Sequence, residues 1–162
     1  MSKIHWLGAG LSAIPGLKML IENDHSVIVY NRTVKKASDA LLGVKGNYQI
    51  VEFSLEAIKK NATAGDVIVS MLPGNFHVPV AELSLSLGAH FVSSSYISDE
   101  MKMLHEESLK KNLCLVNEVG LDPGIDHSMS HALVEDYKNS KVFSAENNHS
   151  FLSYCGGLSD VP

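Results

Sequence analysis

The sequence predicts an α/β fold: a doubly wound parallel sheet with helices on both faces. Three observations predict it. Short apolar runs alternate with helix-patterned segments along the whole chain. The run Asp66-Val67-Ile68-Val69-Ser70 is apolar on both faces, as a parallel core strand must be. The first apolar run, Ile4-His5-Trp6-Leu7, passes at once into Gly8-Ala9-Gly10-Leu11-Ser12-Ala13 and then into an apolar helix from Ile14 to Ile21.

The remaining elements follow in order. Val27 to Tyr30 reads as the second strand, and Val34 to Leu42 as a helix that stops at Gly43. Tyr48 to Phe53 is the third strand. Ser54 is placed to cap a short helix through Asn61, with Glu56 in its first turn. Pro73-Gly74 breaks the fourth strand, and a helix from about Phe76 to Leu87 ends at Gly88. His90-Phe91-Val92 starts the fifth strand. Ser98 caps a helix to about Lys111, with Asp99 and Glu100 at its start and Lys110-Lys111 at its end, which suits the helix dipole. Leu113 to Val116 is the sixth strand. Asp122 as N-cap and Pro123 at the first helical position open a helix to near Tyr137. His149 to Cys155 reads as a last strand, broken by Gly156-Gly157. Right-handed crossovers bring the strand ends to one edge, where ligands bind. That edge should carry Gly8 to Ser12, Asn31 to Thr33, Ser70 to Pro73, Ser93 to Tyr96 and Asn117 to Asp122.

Composition bounds the function. A chain of 162 residues can bury one real core, and 45% hydrophobic residues rule out a disordered chain. A net charge of −5 with no basic run argues against a nucleic-acid or acidic-membrane partner. No apolar run reaches membrane-spanning length. Cys114 and Cys155 are expected to be buried free thiols of a reducing, cytoplasmic compartment.

The glycine turn carries the first chemical signal. Gly8 permits a tight turn, Gly10 lets backbone approach a pyrophosphate, and Ala13 lets the helix pack close to the strand. The N–H groups and positive dipole of the helix start then face the phosphates. An NAD site places an acid after the second strand to hold the ribose 2′-hydroxyl. Here Asn31-Arg32-Thr33 stands there, and Arg32 is the sole arginine of the chain. A guanidinium can bind a 2′-phosphate that a carboxylate would repel, so NADP is expected over NAD.

The other edge segments are polar. Backbone of Ser70-Met71-Leu72-Pro73-Gly74 can lie along a ribose and nicotinamide. Ser93-Ser94-Ser95-Tyr96 offers consecutive hydroxyls; Ser93 reads as a turn serine, whereas the Tyr96 phenol is available for binding or proton transfer. In Asn117-Glu118-Val119-Gly120-Leu121-Asp122-Pro123-Gly124-Ile125-Asp126-His127, a capped helix accounts for Asp122 and Pro123 but not for Glu118, Asp126 and His127 together. His127 and His131 share a helical face, but without a third converging ligand they are not read as a metal site.

These segments resemble the saccharopine dehydrogenase family. The resemblance rests on the glycine turn, Ser70-Met71-Leu72-Pro73 with His77 after it, Ser94-Ser95-Tyr96-Ile97-Ser98, Asn117 through His127, and Ser150-Phe151-Leu152-Ser153-Tyr154-Cys155-Gly156-Gly157-Leu158. It implies an NADP-dependent oxidoreductase of lysine metabolism. Such an enzyme moves a hydride between NADP(H) and the imine joining glutamate to 2-aminoadipate 6-semialdehyde. It further implies that Gly8, Gly10, Leu11 and Ser12 hold the pyrophosphate and that Asn31, Arg32 and Thr33 hold the adenosine ribose and its phosphate. Ser70 and Met71 would line the nicotinamide path. Ser94, Ser95 and Tyr96 would meet the substrate or the nicotinamide, and Asn117, Leu121, Asp122 and Asp126 would close the site. Tyr96, Asp122 and Asp126 are thus the catalytic candidates, with Asn117 and Leu121 on the cofactor side.

Members of that family are far longer, so residues 1–145 are expected to form the dinucleotide-binding domain and 146–162 to lead into a substrate and dimerisation domain. A substrate with three carboxylates calls for cationic clamps, and Arg32 is already assigned. This chain alone is therefore expected to be inactive. Apolar surface at a sheet edge beside Phe151 and Leu152 is expected to drive a homodimer or other self-association. Two alternatives stay open: a non-catalytic NADP-binding module, and a related amine or imine dehydrogenase acting on polyamine precursors.

Overall fold

The computed structural model describes residues 2–154 and 156. Its elements run β1 (Ile4–Leu7), α1 (Ile14–Glu22), β2 (Val27–Asn31), α2 (Val34–Ala40), β3 (Tyr48–Glu52), α3 (Leu55–Asn61) and β4 (Val67–Ser70). A single 3-10 turn (Gly74–Phe76) then leads into α4 (His77–Leu87), β5 (His90–Ser93), α5 (Asp99–Met103), α6 (His105–Lys110), β6 (Leu115–Val116) and α7 (Ile125–Lys138). The six strands form one sheet in the order β3-β2-β1-β4-β5-β6, and every neighbouring pair is parallel. The order reverses between β1 and β4, where Leu7 lies opposite Ser70. That is the switch point of a doubly wound sheet, so the predicted fold class is the observed one.

The strand period fills both faces. Val27 and Val29 of β2 join Trp6, Leu17, Ile21 and Ala37 on the side of α1 and α2. Ile28 and Tyr30 join Leu7, Ile58, Ile68, Val80 and Phe91 on the side of α3 and α4. A polar lock sits at the amino end of this second core. Buried His5 lies 3.0 Å from Asp66 Oδ2 through Nε2 and 2.9 Å from the Tyr30 hydroxyl through Nδ1. A carboxylate can only accept, so Nε2–H donates to Asp66 and the tyrosine hydroxyl donates to Nδ1.

Several local expectations change. The helix after Ser98 is two helices, α5 and α6, because the chain tightens at Leu104, whose N–H bonds back to Met101 O at 3.2 Å. The sixth strand keeps only Leu115 and Val116. Asp122 is not an N-cap and Pro123 is not a first helical residue: α7 starts at Ile125. A closed loop delays it, with Gly120 N–H bonded to Pro123 O at 2.9 Å and Ile125 N–H to Gly120 O at 2.9 Å. Gly124, at φ +145°, completes that loop, and the Asp126 carboxylate accepts its N–H at 2.7 Å. Residues 149–154 form no strand; His149 instead packs on Tyr137 and Phe143. Phe151 and Leu152 are exposed and in no strand, so they add no edge to the sheet, whose outer strands are β3 and β6. Cys114 is an exposed thiol beside the outer strand β6, whose own Val116 is also exposed; Cys155 lies outside the described residues.

Candidate cofactor site at the carboxyl edge

The glycine turn sits over the switch point. Gly8 has φ +100°, and a Cβ there would stand 2.8 Å from the Met71 carbonyl oxygen. Only glycine lets the loops after β1 and β4 approach this closely. The Trp6 indole N–H donates to Gly8 O at 2.9 Å and fixes its outlook. Gly10 differs: a Cβ there would meet nothing within 4 Å, so the space in front of it is open. Ala13 is buried, and a Cβ on Gly16 would come 3.4 Å from the Trp6 ring. Gly16 therefore shares with Ala13 the task of seating α1 on the sheet, a role the motif alone did not reveal.

The turn is built to receive an anion. The N–H groups of Leu11 and Ser12 meet no acceptor among the described residues. Helix α1 has no side-chain cap and no acidic residue in its first turn, so its positive end is left uncompensated. Asn31 acts one step back. Its Oδ1 accepts the Ala9 N–H at 3.1 Å and its Nδ2 donates to Thr33 O at 2.8 Å, tying the glycine turn to the loop after β2. Arg32 beside it is exposed and makes no ion pair among the described residues. A cavity of about 540 Å³ opens against this turn, lined by Ser12, Ala13, Met71, Ser94, Leu121 and Asp122 among others. Open space at Gly10, unpaired N–H groups and a neighbouring guanidinium fit a dinucleotide carrying an extra phosphate.

The far end of the edge is a hydroxyl network. Ser93 donates to Asn117 Oδ1 at 3.0 Å and receives the Ser95 N–H at 3.3 Å, so Ser93 and Asn117 knit the loops after β5 and β6 together. Backbone bonds from Glu118 N–H to Ser95 O and Val119 N–H to Ser93 O, at 3.1 and 3.2 Å, reinforce that join. Glu118 accepts the Ile97 N–H at 3.2 Å. The exposed Tyr96 hydroxyl donates to Asp122. Ser94, Tyr96 and Asp122 line a second cavity of about 610 Å³, which shares Ser94 and Asp122 with the first. Among the described residues, no lysine or arginine lines either cavity.

Buried His77 underlies this second cavity. Its Nδ1 lies 3.0 Å from Ser70 Oγ and its Nε2 lies 2.7 Å from Ser95 Oγ. Burial pushes its pKa below the usual histidine value. The sequence drew no role for His77 beyond the family resemblance; the Pro73-Gly74 break, which turns the chain back over the strand end, was the available signal. Asp126 serves the start of α7, and its Oδ2 lies 3.8 Å from His127 Nε2. The structure thus gathers Gly8 to Ser12, Asn31 to Thr33, Ser70, Met71, Ser94 to Tyr96, Asn117, Leu121 and Asp122 along one edge, and leaves Asp126 and His127 on α7.

Comparisons with known proteins agree with this geometry. The family model of the saccharopine dehydrogenase NADP binding domain matches residues 4–116. The chain is 32% identical over 161 residues to saccharopine dehydrogenase [NADP(+), L-glutamate-forming] of Schizosaccharomyces pombe, covering 98% of this chain and 35% of that protein. It is 36% identical over 142 residues to an alpha-aminoadipic semialdehyde synthase of Arabidopsis thaliana, covering 85% of this chain and 13% of that one. Among solved structures, apo saccharopine dehydrogenase (L-Glu forming) from Saccharomyces cerevisiae superposes with a TM-score of 0.71 at 28% identity, over 85% of this chain and 31% of that one. The chain spans about a third or less of the length of these relatives. On the matched turn, strands and cofactor edge, the chain belongs to the saccharopine dehydrogenase NADP-binding domain family.

Proposed function

We propose that this chain supplies the cofactor-binding part of an NADP-dependent, L-glutamate-forming saccharopine dehydrogenase. The bound NADP(H) exchanges a hydride with the imine carbon that joins glutamate to 2-aminoadipate 6-semialdehyde. Residues 1–145 form the cofactor domain, and 146–162 lead toward the part that binds substrate. Gly8, Gly10, Leu11 and Ser12 hold the pyrophosphate. Arg32 and Thr33 hold the ribose phosphate end, with Asn31 setting their position. Ser70, Met71, Asn117 and Leu121 border the nicotinamide path. Ser94, Tyr96 and Asp122 face the reacting atoms, and Tyr96, paired with Asp122, is placed to move a proton. Asp126 shapes the loop beneath them. Because no lysine or arginine among the described residues lines either edge cavity, the groups that clamp the substrate carboxylates are sought beyond these two cavities. Association into a homodimer belongs to the same proposal, supported by exposed Ile125, Met129 and Leu133 on one face of α7, as does a cytoplasmic location.

One observation carries the reading: an open glycine turn at the switch point, with Asn31 in place of the acid that would select NAD and Arg32 next to it. The test is a calorimetric titration of the chain with NADPH and NADH. NADPH binds more tightly. Arg32→Ala weakens NADPH by roughly 1–3 kcal/mol, the scale of a charged hydrogen bond, and changes NADH little. Equal affinities for the two cofactors, unchanged by Arg32→Ala, contradict it.

A further inference from the structure

The proposed cofactor edge uses Ser94, Tyr96 and Asp122 but gives no task to His77, which is 4% exposed at the first turn of α4. Both its ring nitrogens are engaged, with Ser70 on one side and Ser95 on the other. A buried imidazole is neutral, so one nitrogen donates and the other accepts. Ser70 decides which. It is fully buried, and His77 is its side-chain partner. If Nδ1–H donated to Ser70, the serine proton would be buried without an acceptor. The Ser70 hydroxyl therefore donates to Nδ1, and the ring proton sits on Nε2, where it donates to Ser95 Oγ. That leaves the Ser95 proton free for the cavity that Ser95 lines.

The cavity narrows what this proton meets. Asp122 contributes a carboxylate there and, among the described residues, no lysine or arginine lines it, so it disfavours an anion and suits a neutral carbonyl oxygen. Ser95 follows β5, beside the end of β4 that borders the switch point. A dinucleotide whose pyrophosphate lies at Gly10 extends its ring end across that switch point. We infer that His77 is a positioning residue: through Nε2–H it makes the Ser95 hydroxyl a fixed donor for the carbonyl oxygen of the nicotinamide carboxamide. This inference rests on the NADP reading proposed above.

The experiment uses this chain with two probes, NADPH and 2′-phospho-ADP-ribose, which keeps the phosphates but lacks the carboxamide. Ser95→Ala and His77→Phe each weaken NADPH roughly three- to tenfold, the scale of one neutral hydrogen bond, and leave 2′-phospho-ADP-ribose unchanged. The double variant binds NADPH no more weakly than Ser95→Ala, because His77 acts through Ser95. His77→Gln, whose amide can still donate to Ser95, recovers most of the loss. Nitrogen-15 NMR of the unsubstituted chain finds the His77 proton on Nε2. That arm and Ser95→Ala stand even if His77→Phe does not fold. A proton on Nδ1, additive losses, or equal losses for both probes overturn the inference. NADPH affinity unchanged in Ser95→Ala overturns the role of His77 and Ser95 alone, whereas an unsubstituted chain that binds no NADPH overturns the proposed function beneath it.

Discussion

Gly8 and Gly10 are glycine for opposite reasons, and substitution separates them. Gly8 is needed by the fold, because φ +100° and the Met71 carbonyl leave no place for a Cβ. Gly8→Ala is expected to lower stability by about 2 kcal/mol or more, read by chemical denaturation. Gly10 faces open space, so Gly10→Val is expected to stay folded by circular dichroism and lose NADPH binding. Retained binding in a folded Gly10→Val chain removes this turn as the phosphate site. His5 and Asp66 set a pH dependence at the opposite end of the sheet. Burial alone would raise the Asp66 pKa, but the backbone N–H groups of Lys3 and Thr63, with His5 and the Thr63 hydroxyl, bring it down to about 2 from an ordinary 3.8. Burial lowers the His5 pKa, opposed by Asp66 and helped by the charge of Lys3. In both cases the unfolded chain binds the proton more readily. Stability therefore begins to fall as pH drops through the ordinary histidine range, and falls again between about pH 4 and 2. The Asp66 share is about 2 kcal/mol. Denaturation curves across that range should show Asp66→Asn already destabilised at neutral pH and flatter below pH 4. An unchanged slope contradicts the assignment.

Strand and helix types were legible because burial forces their periods. The run from Val27 to Tyr30 fills both faces of the sheet, and Ser54 and Ser98 cap their helices through Ala57 and Met101 N–H as their spacing suggests. The start of α7 was not legible. Asp122-Pro123 has the local chemistry of a helix start, but Tyr96, distant in sequence, takes the carboxylate, and backbone bonds across Gly120 and Gly124 hold the chain in a loop. Such partners exist only after folding. At Gly124 a Cβ would collide with the Gly120 carbonyl and stand 2.6 Å from Glu118 O. Gly124→Ala is therefore expected to displace the loop that carries Asp122. It should weaken NADPH binding while the melting of the sheet core changes by less than it does for Gly8→Ala. Affinity equal to that of the unsubstituted chain contradicts a role for this loop in the site.

At the scale of the molecule, parallel topology explains why segments far apart in sequence meet. Each crossover returns the chain to the same sheet direction, so the loops after β1, β2, β4, β5 and β6 share one edge. That much of the site follows from strand order, and the glycine turn and Arg32 could be placed on it from sequence. The Ser70–His77–Ser95 chain could not, because it depends on how α4 rides over the ends of β4 and β5. Two adjoining cavities on this edge, against another of about 790 Å³ between α7 and residues 143–151, make the central claim directly measurable. Amide NMR of the chain titrated with NADPH should perturb Gly8 to Ala13, Asn31 to Thr33, Ser70 to Gly74 and Ser93 to Tyr96, and spare Tyr137 and Phe143. Perturbations centred on Tyr137 and Phe143, or none at the glycine turn, would contradict the account.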